Sequence, residues 1–327
     1  MAKPRPFIIL SISCFIIILC TTLWWQHDNI PTESAAKFLS ALRPATLIQQ
    51  STSDDGFPVR DKVAVIVDTR PTNSLVPIIT HFASVLGPEW PIIFLTRASI
   101  VNTLAAVNNG SQPFRRLVNA GQVKIIELPS TVPPFNYEGL SHFLASSWFW
   151  NLLSPAKHMM LFQTDSMICA NSGHRVEDFL EYDFIGAAHP YFREAFNGGL
   201  SLRNVTLSRQ IAENYNIADD VGDKGNRYGK FEDVWFWDKM KGMGAHFPSR
   251  EVAGEFSVDF DWSERPLGFH GIEKNEQVGE RLEDVYKWCP EAAMAGPSEE
   301  VKLSAEELER FQPVEDGETE GGRRLSY

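Results

Sequence analysis

His158-Met159-Met160-Leu161-Phe162-Gln163-Thr164-Asp165-Ser166-Met167-Ile168 is an apolar run that closes on a single acid. Met159 to Phe162 reads as a buried strand. Asp165 then falls where that strand should emerge from a sheet. A carboxylate there is costly unless it is paired, hydrogen-bonded or bound to a metal. In open α/β sheets, ligands gather outside the carboxyl ends of the strands. Asp165 is therefore the first candidate for chemistry. The plain alternative is an Asp that caps a helix or makes a turn.

Working outward, strands and helices alternate. Lys62 to Asp68 is a β-branched apolar run and the first strand. Leu75 to Leu86 is apolar at helical spacing, with Gly87-Pro88 as its stop. Trp90 to Thr96 reads as a second strand, followed by a helix from Ser99, and Val123 to Leu128 as a third. Tyr137 to Asn151 reads as one aromatic helix before the strand at Met159. This alternation predicts an α/β fold: a Rossmann-type, mostly parallel sheet with helices on both faces. Beyond Asp165, Val176 to Tyr182 reads as a helix, Phe184 to Ala187 and Gly199 to Leu202 as short strands, and Phe231 to Met243 as a helix. Asp219-Asp220 and Asp259-Phe260-Asp261-Trp262 read as loops. Nothing splits residues 61–290, which are taken as one domain. Neither a G-x-x-x-x-G-K-S/T loop nor a G-x-G-x-x-G turn follows the first strand, so simple NTPase and dinucleotide functions lose support.

The ends differ from this core. Phe7 to Trp25 is an uncharged stretch of 19 residues, long enough to cross a bilayer as a helix. Lys3 and Arg5 precede it while Asp28 and Glu33 follow, so residues 1–6 read as a cytoplasmic tail and 7–25 as a signal-anchor. A cleaved signal peptide is the rival, without an A-x-A-like site to favour it. Residues 26–60 mix Ser, Thr, Pro and Gln and read as a stem. Residues 291–327 hold ten acids and four bases and read as an acidic disordered tail. The net charge of −12 argues against a nucleic-acid partner. Two cysteines, Cys169 and Cys289, lie beyond the anchor; in an oxidising lumen they form one disulfide or remain two buried thiols. Asn109 and Asn204 begin N-x-S/T sequons open to glycosylation if exposed.

Three later segments join Asp165: Asn197-Gly198-Gly199-Leu200-Ser201-Leu202-Arg203, Phe231-Glu232-Asp233-Val234-Trp235-Phe236 and Pro266-Leu267-Gly268-Phe269-His270-Gly271. Their order resembles the nucleotide-sugar glycosyltransferases of the GT-A type, and within them a fungal family of membrane-anchored GT-A-like proteins of poorly defined function. The resemblance covers about residues 62 to 290. It implies a GT-A-like fold and transfer of a sugar, such as that of a UDP-sugar, to a glycan or glycoprotein. It also implies a type II protein of the Golgi or endoplasmic reticulum membrane, with its domain in the lumen. A non-catalytic glycan-binding or scaffold relative is the alternative.

The resemblance also distributes roles. Asp165 and His270 become ligands of Mn²⁺ or Mg²⁺, hard ions that accept oxygen ligands and diphosphate. Gln163 stands where the first acid of a D-x-D belongs, which removes one negative charge. Thr69, Arg70, Arg97, Gln163, Asp165, Asn197, Gly198, Gly199 and Lys274 become donor contacts, the glycines by admitting a ligand close to the backbone. Asp233 becomes the base of an inverting reaction and Glu232 the residue that orients the acceptor. Trp262 is a further candidate for the acceptor.

Overall fold

The structure, a computed structural model, describes residues 59–101, 103, 111–128, 132, 135–192, 194–221, 231–272, 276–296 and 299–301. Phe7 to Trp25, Asn109 and Lys274 therefore lie outside the described residues. Among the described residues, no helix is long and apolar enough to cross a membrane.

A six-stranded sheet forms the centre, in the order β3-β2-β1-β4-β7-β6. Strands β1 (Lys62–Val67), β2 (Ile92–Arg97), β3 (Val123–Leu128) and β4 (His158–Phe162) run parallel. β7 (Phe196–Asn204) runs against β4, and β6 (Phe184–Ala188) runs against β7, so β6 points the same way as β1 to β4. Ala64, Ile66, Met160, Phe162, Leu200 and Leu202 belong to the main core cluster on one face. There α1 (Leu75–Leu86) brings Phe82 flat onto Phe162, with ring centroids 3.9 Å apart. The alternate residues point the other way. On that face, α3 (Tyr137–Leu144), α4 (Ser147–Leu152) and α7 (Glu232–Gly242) supply the aromatic side chains Phe143, Phe149, Trp150 and Phe236. Helices thus cover both faces. This is why β1 and β4 read as unbroken apolar runs rather than alternating ones.

Several local expectations need correction. The helix expected over Tyr137–Asn151 is two helices. Ser146 breaks it: its hydroxyl donates to Phe143 O at 2.6 Å and accepts the Phe149 amide as the cap of α4. Val176–Phe179 is a single 3₁₀ turn. A second sheet of three short strands, β5 (Ser166–Ile168), β8 (Ser257–Val258) and β9 (Gly268–His270), escaped the sequence pattern altogether. In it β9 pairs antiparallel with β5 and parallel with β8. Asp219 and Asp220 sit in the short helix Ile217–Val221 rather than a loop.

The folded domain also runs past residue 290. Pro290–Ala295 forms a 3₁₀ turn that buries Ala292 and Ala295 completely. The Glu299–Val301 segment then pairs with Pro71–Asn73, through Asn73 N–H to Glu299 O (3.2 Å) and Val301 N–H to Pro71 O (2.7 Å). Cys169 and Cys289 form a disulfide that ties the end of β5 to this C-terminal segment.

Candidate functional site

From β1 the chain builds outward to β2 and β3, whereas β4 lies on the other flank of β1. The connections leave β1 and β4 in opposite directions, and a crevice opens between their carboxyl ends. It is a cleft of about 180 Å³, lined by Val67–Arg70, Phe135–Tyr137, Leu140 and Gln163–Asp165. Thr69 stiffens its rim by accepting the Phe135 amide on its hydroxyl oxygen (2.9 Å). Asn136 caps α3 through the Gly139 amide (2.7 Å). The two expected Arg contacts fare differently. Arg70 lines the cleft, but its guanidinium folds back onto buried Asp68, Nε to Oδ1 at 3.1 Å and Nη2 to Oδ2 at 2.9 Å. It offers a ligand a neutralised pair rather than a bare cation. Arg97 ends β2 opposite Leu128 and is not among the residues that line the cleft.

At the β4 side of the cleft, Asp165, Gln163 and His270 converge. Ser166 pairs with His270 across β5 and β9, which brings the imidazole to the end of β4. His270 Nε2 lies 3.3 Å from Gln163 Oε1 and 3.7 Å from Asp165 Oδ1. Its other nitrogen, Nδ1, lies 3.2 Å from Oδ2 of Asp259, a carboxylate only 1% exposed. With its proton on Nδ1, toward that buried acid, the ring would turn a lone pair on Nε2 toward the two further oxygens. An imidazole nitrogen flanked by two oxygens at these separations suits a cation. Ligands held about 2.1–2.3 Å from a common ion, at right angles or slightly wider, stand about 3.0–3.7 Å from each other. The carboxylate behind the imidazole is the usual support of a metal-binding His. Among the described residues, no group of three or more His, Cys, Asp or Glu side chains gathers to hold an ion. The residues thus fit a partial shell at most, and a hard cation there would need its remaining oxygen ligands from outside the protein.

Next to this point, Asn197-Gly198-Gly199 begins β7. The glycines do make room, but for the protein itself. A Cβ on Gly199 would lie 2.0 Å from His270 Nε2, and one on Gly198 would lie 2.5 Å from Arg203 Nη2 and 2.7 Å from Glu232 Oε1. The expectation that they admit a ligand to the backbone is therefore replaced: they let an imidazole and an ion pair close on the strand. Asn197 folds its Oδ1 back to accept the Gly199 amide (2.8 Å).

The acidic pair that opens α7 divides its work. Glu232 is buried and bound by the fully buried Arg203, Nη1 to Oε2 at 2.5 Å and Nη2 to Oε1 at 3.1 Å. Phe184 stacks on the guanidinium at 4.5 Å. Both Glu232 oxygens are thus engaged within the fold by Arg203. Asp233 is half-buried; its Oδ2 accepts the Gly198 amide (2.9 Å) and its Oδ1 the Val234 amide (2.8 Å). Burial pushes the Asp233 carboxyl above the usual carboxylate range, against the opposing pull of Arg203, the two amides and His270.

Other candidates prove structural. Asp220 accepts from Trp235 Nε1 (2.7 Å) and pairs with Lys239 (2.9 Å). Trp262 is half-buried under the Arg281 guanidinium (3.8 Å) and packs on Phe269, so it is not free for an acceptor. Asn204 spends its side chain on the fold: Oδ1 caps α5 (Val205–Asn214) at the Leu207 amide, and Nδ2 donates to Asp183 at 2.8 Å. Sequence reasoning missed Asp259 and Arg203. The signal for both was a charged residue inside an apolar stretch, Ser257-Val258-Asp259-Phe260 and Leu200-Ser201-Leu202-Arg203.

Fold and site together define a mixed α/β protein with a mainly parallel sheet and a polar cleft at its switch point. A family model described as "Protein of unknown function (DUF5672)" matches residues 122–270, a span that begins before β3 and ends on His270. No curated protein matches the chain. Among solved structures, the glycosyltransferase GlyE of Streptococcus pneumoniae TIGR4 in its apo form is similar at 10% identity and a TM-score of 0.42, over 69% of this chain and 60% of that one. The apo structure of WbbM, a bifunctional glycosyltransferase, is similar at 11% identity and a TM-score of 0.43, over 73% of this chain and 52% of that one. The chain thus spans little more than half the length of these structures.

Proposed function

We propose that this chain transfers a glycosyl group from a nucleotide-diphosphate sugar to a hydroxyl of a glycan or glycoprotein. The observation that supports it best is the convergence of His270 Nε2, Asp165 Oδ1 and Gln163 Oε1 beside the switch-point cleft. Asp165 and His270, with the Gln163 oxygen, would hold Mn²⁺ or Mg²⁺, which when bound neutralises a leaving diphosphate. Asp259 holds the imidazole in the tautomer that keeps Nε2 available. The cleft orients the nucleotide, with the Asp68–Arg70 pair along one wall. Asp233 takes the proton of the acceptor hydroxyl as the new bond to the sugar carbon forms and the bond from that carbon to the diphosphate oxygen breaks. A carboxyl raised by burial suits that task. With Asp233 as the base and no covalent intermediate, the reaction would invert the sugar carbon.

The same reading takes the donor as a UDP-sugar. It also takes Phe7 to Trp25 as the anchor of a type II protein whose domain faces the lumen of the Golgi or endoplasmic reticulum, on the strength of the flanking charges. The test is a panel of nucleotide sugars incubated with the purified chain, with and without Mn²⁺. The expected result is metal-dependent release of nucleoside diphosphate by the parent and none by Asp165→Asn. Donor binding without turnover across the panel would leave the non-catalytic relative as the better description, for which Gln163 in the place of an acid already speaks.

A further inference from the structure

The strand order lays the site out along one edge of the sheet. β1 carries Asp68–Arg70, β4 carries Gln163–Asp165, and β7 carries Gly198-Gly199 with Asp233 and His270 against them. β6 comes last and ends at Ala188 on the same edge. A nucleotide diphosphate in the β1–β4 crevice directs its transferable end toward β7. The space beyond β7, above the end of β6, is left for the second substrate.

Two loops occupy that ground, residues 189–192 after β6 and residues 259–262 after β8. Arg250, at the start of α8 (Arg250–Phe256), fastens them together. Its guanidinium donates to Asp261 Oδ2 (Nε 3.1 Å, Nη2 2.5 Å) and to His189 O (3.4 Å). The loops so joined present Tyr191 and Phe260 side by side, with ring centroids 6.5 Å apart and planes inclined at 58°. Tyr191 is 81% exposed, yet its backbone is held: its amide donates to His189 Nδ1 (3.2 Å), and His189 packs on Phe192 at 4.7 Å. Phe260 directly follows Asp259, the carboxylate behind His270. Tyr191, held at its base and set beside Phe260, offers an apolar ring face at the surface.

We propose that Tyr191 and Phe260 form a stacking platform for a pyranose ring of the acceptor. A pyranose offers the matching chemistry, a C–H face for the rings and a hydroxyl edge for the half-exposed Asp261 carboxylate at the rim. This inference rests on the glycosyl-transfer reading. It also moves the aromatic acceptor contact from Trp262, stacked under Arg281, to the exposed Tyr191 and the half-buried Phe260 beside it.

The test is saturation-transfer NMR of the full chain in detergent micelles with a panel of methyl pyranosides. At least one should bind the parent through its ring C–H protons. Tyr191→Leu and Phe260→Leu should each weaken it about tenfold, the loss expected of one aromatic contact, while Tyr191→Phe keeps the ring and the affinity. Because Tyr191 is so exposed, its variants should fold as the parent does and bind UDP with Mn²⁺ equally, and the Phe260→Leu result counts only where its melting temperature matches the parent. Pyranoside affinity that is equal in Tyr191→Leu and parent, or absent from the parent across the panel, overturns the platform. Failure of UDP with Mn²⁺ to bind the parent, with pyranoside stacking intact, would instead count against the glycosyl-transfer reading.

Discussion

Asp259 Oδ2 stands 3.2 Å from His270 Nδ1, on the side of the ring away from Gln163 and Asp165. This contact decides which imidazole nitrogen faces the cleft. Asp259→Asn keeps the size but presents an amide that favours the other tautomer. Mn²⁺ affinity, followed by calorimetry, should fall about 10–100-fold, the usual cost of losing such support. An unchanged affinity would mean that His270 is not a ligand.

Gly199 has no room for a side chain, because the His270 ring occupies the place of a Cβ. Gly199→Ala must turn that ring off the strand. The variant should keep its circular dichroism spectrum and lose Mn²⁺-dependent binding of UDP. Normal binding would show that the ring is not needed at its observed position.

Arg203 and Glu232 form a buried pair whose partners depend on each other. Arg203→Met strands a carboxylate among Phe184 and Phe236 and should cost about 3–5 kcal/mol in chemical denaturation. Adding Glu232→Leu removes the stranded charge and should restore most of that loss. A double variant as unstable as the single one would show that packing, not the uncompensated charge, sets the cost.

Two histidines link stability to pH. Burial holds His142 and His158 below the ordinary His value, against the weaker upward pull of Glu138 on His142 and of Leu180, Asp183 and Asp61 on His158. With the folded pKa depressed, the unfolded chain binds more protons once pH falls below about 6.5. The two histidines' contribution is therefore flat above that value and lost as pH drops through it, opposite in sign to that of the raised Asp233 carboxyl. Thermal melts between about pH 7.5 and about pH 5.5 should show a falling Tm, and His142→Asn should flatten the slope. A Tm that rises on acidification contradicts this sign.

Residues 299–301 are stitched to 71–73. A chain ending at Val301 should keep those bonds, whereas one ending at Pro297 loses them. The longer chain should be the more stable by about 1–3 kcal/mol, at roughly 1 kcal/mol per bond. Equal melting temperatures would show that the pairing contributes nothing.

The sequence was most legible where one pattern had one cause. α1 runs over the same Leu75–Leu86 as its apolar spacing predicts, and β3 over the same Val123–Leu128. Both are long enough for period and composition to agree. β5, β8 and β9 carry three, two and three residues, too few for any period to show. Yet those strands deliver Asp259 and His270 to the end of β4. The acid at 165 could be picked out from its strand alone. Its partner across 105 residues of chain could be named only through a resemblance, and the support behind that partner not at all. The glycines misled for a related reason: sequence reports that space is needed at a backbone, not whether a ligand or another side chain fills it.

The disulfide between Cys169 and Cys289 spans 120 residues. Every site residue beyond the β1–β4 cleft, from Gly198 through Asp233 and Asp259 to His270, lies inside the covalent ring it closes. Such a ring restricts the unfolded chain by an amount worth about 4–5 kcal/mol in the loop-entropy view. The Asp233 and His270 side of the site is thus secured by oxidation as well as by packing, whereas the Asp68–Arg70 wall of the cleft lies outside the ring. Material made in a reducing cytosol should keep the Asp68–Arg70 wall of the cleft beside a loosened Asp233 and His270 side, and binding measurements on it would then report on the redox history of the sample as much as on the protein.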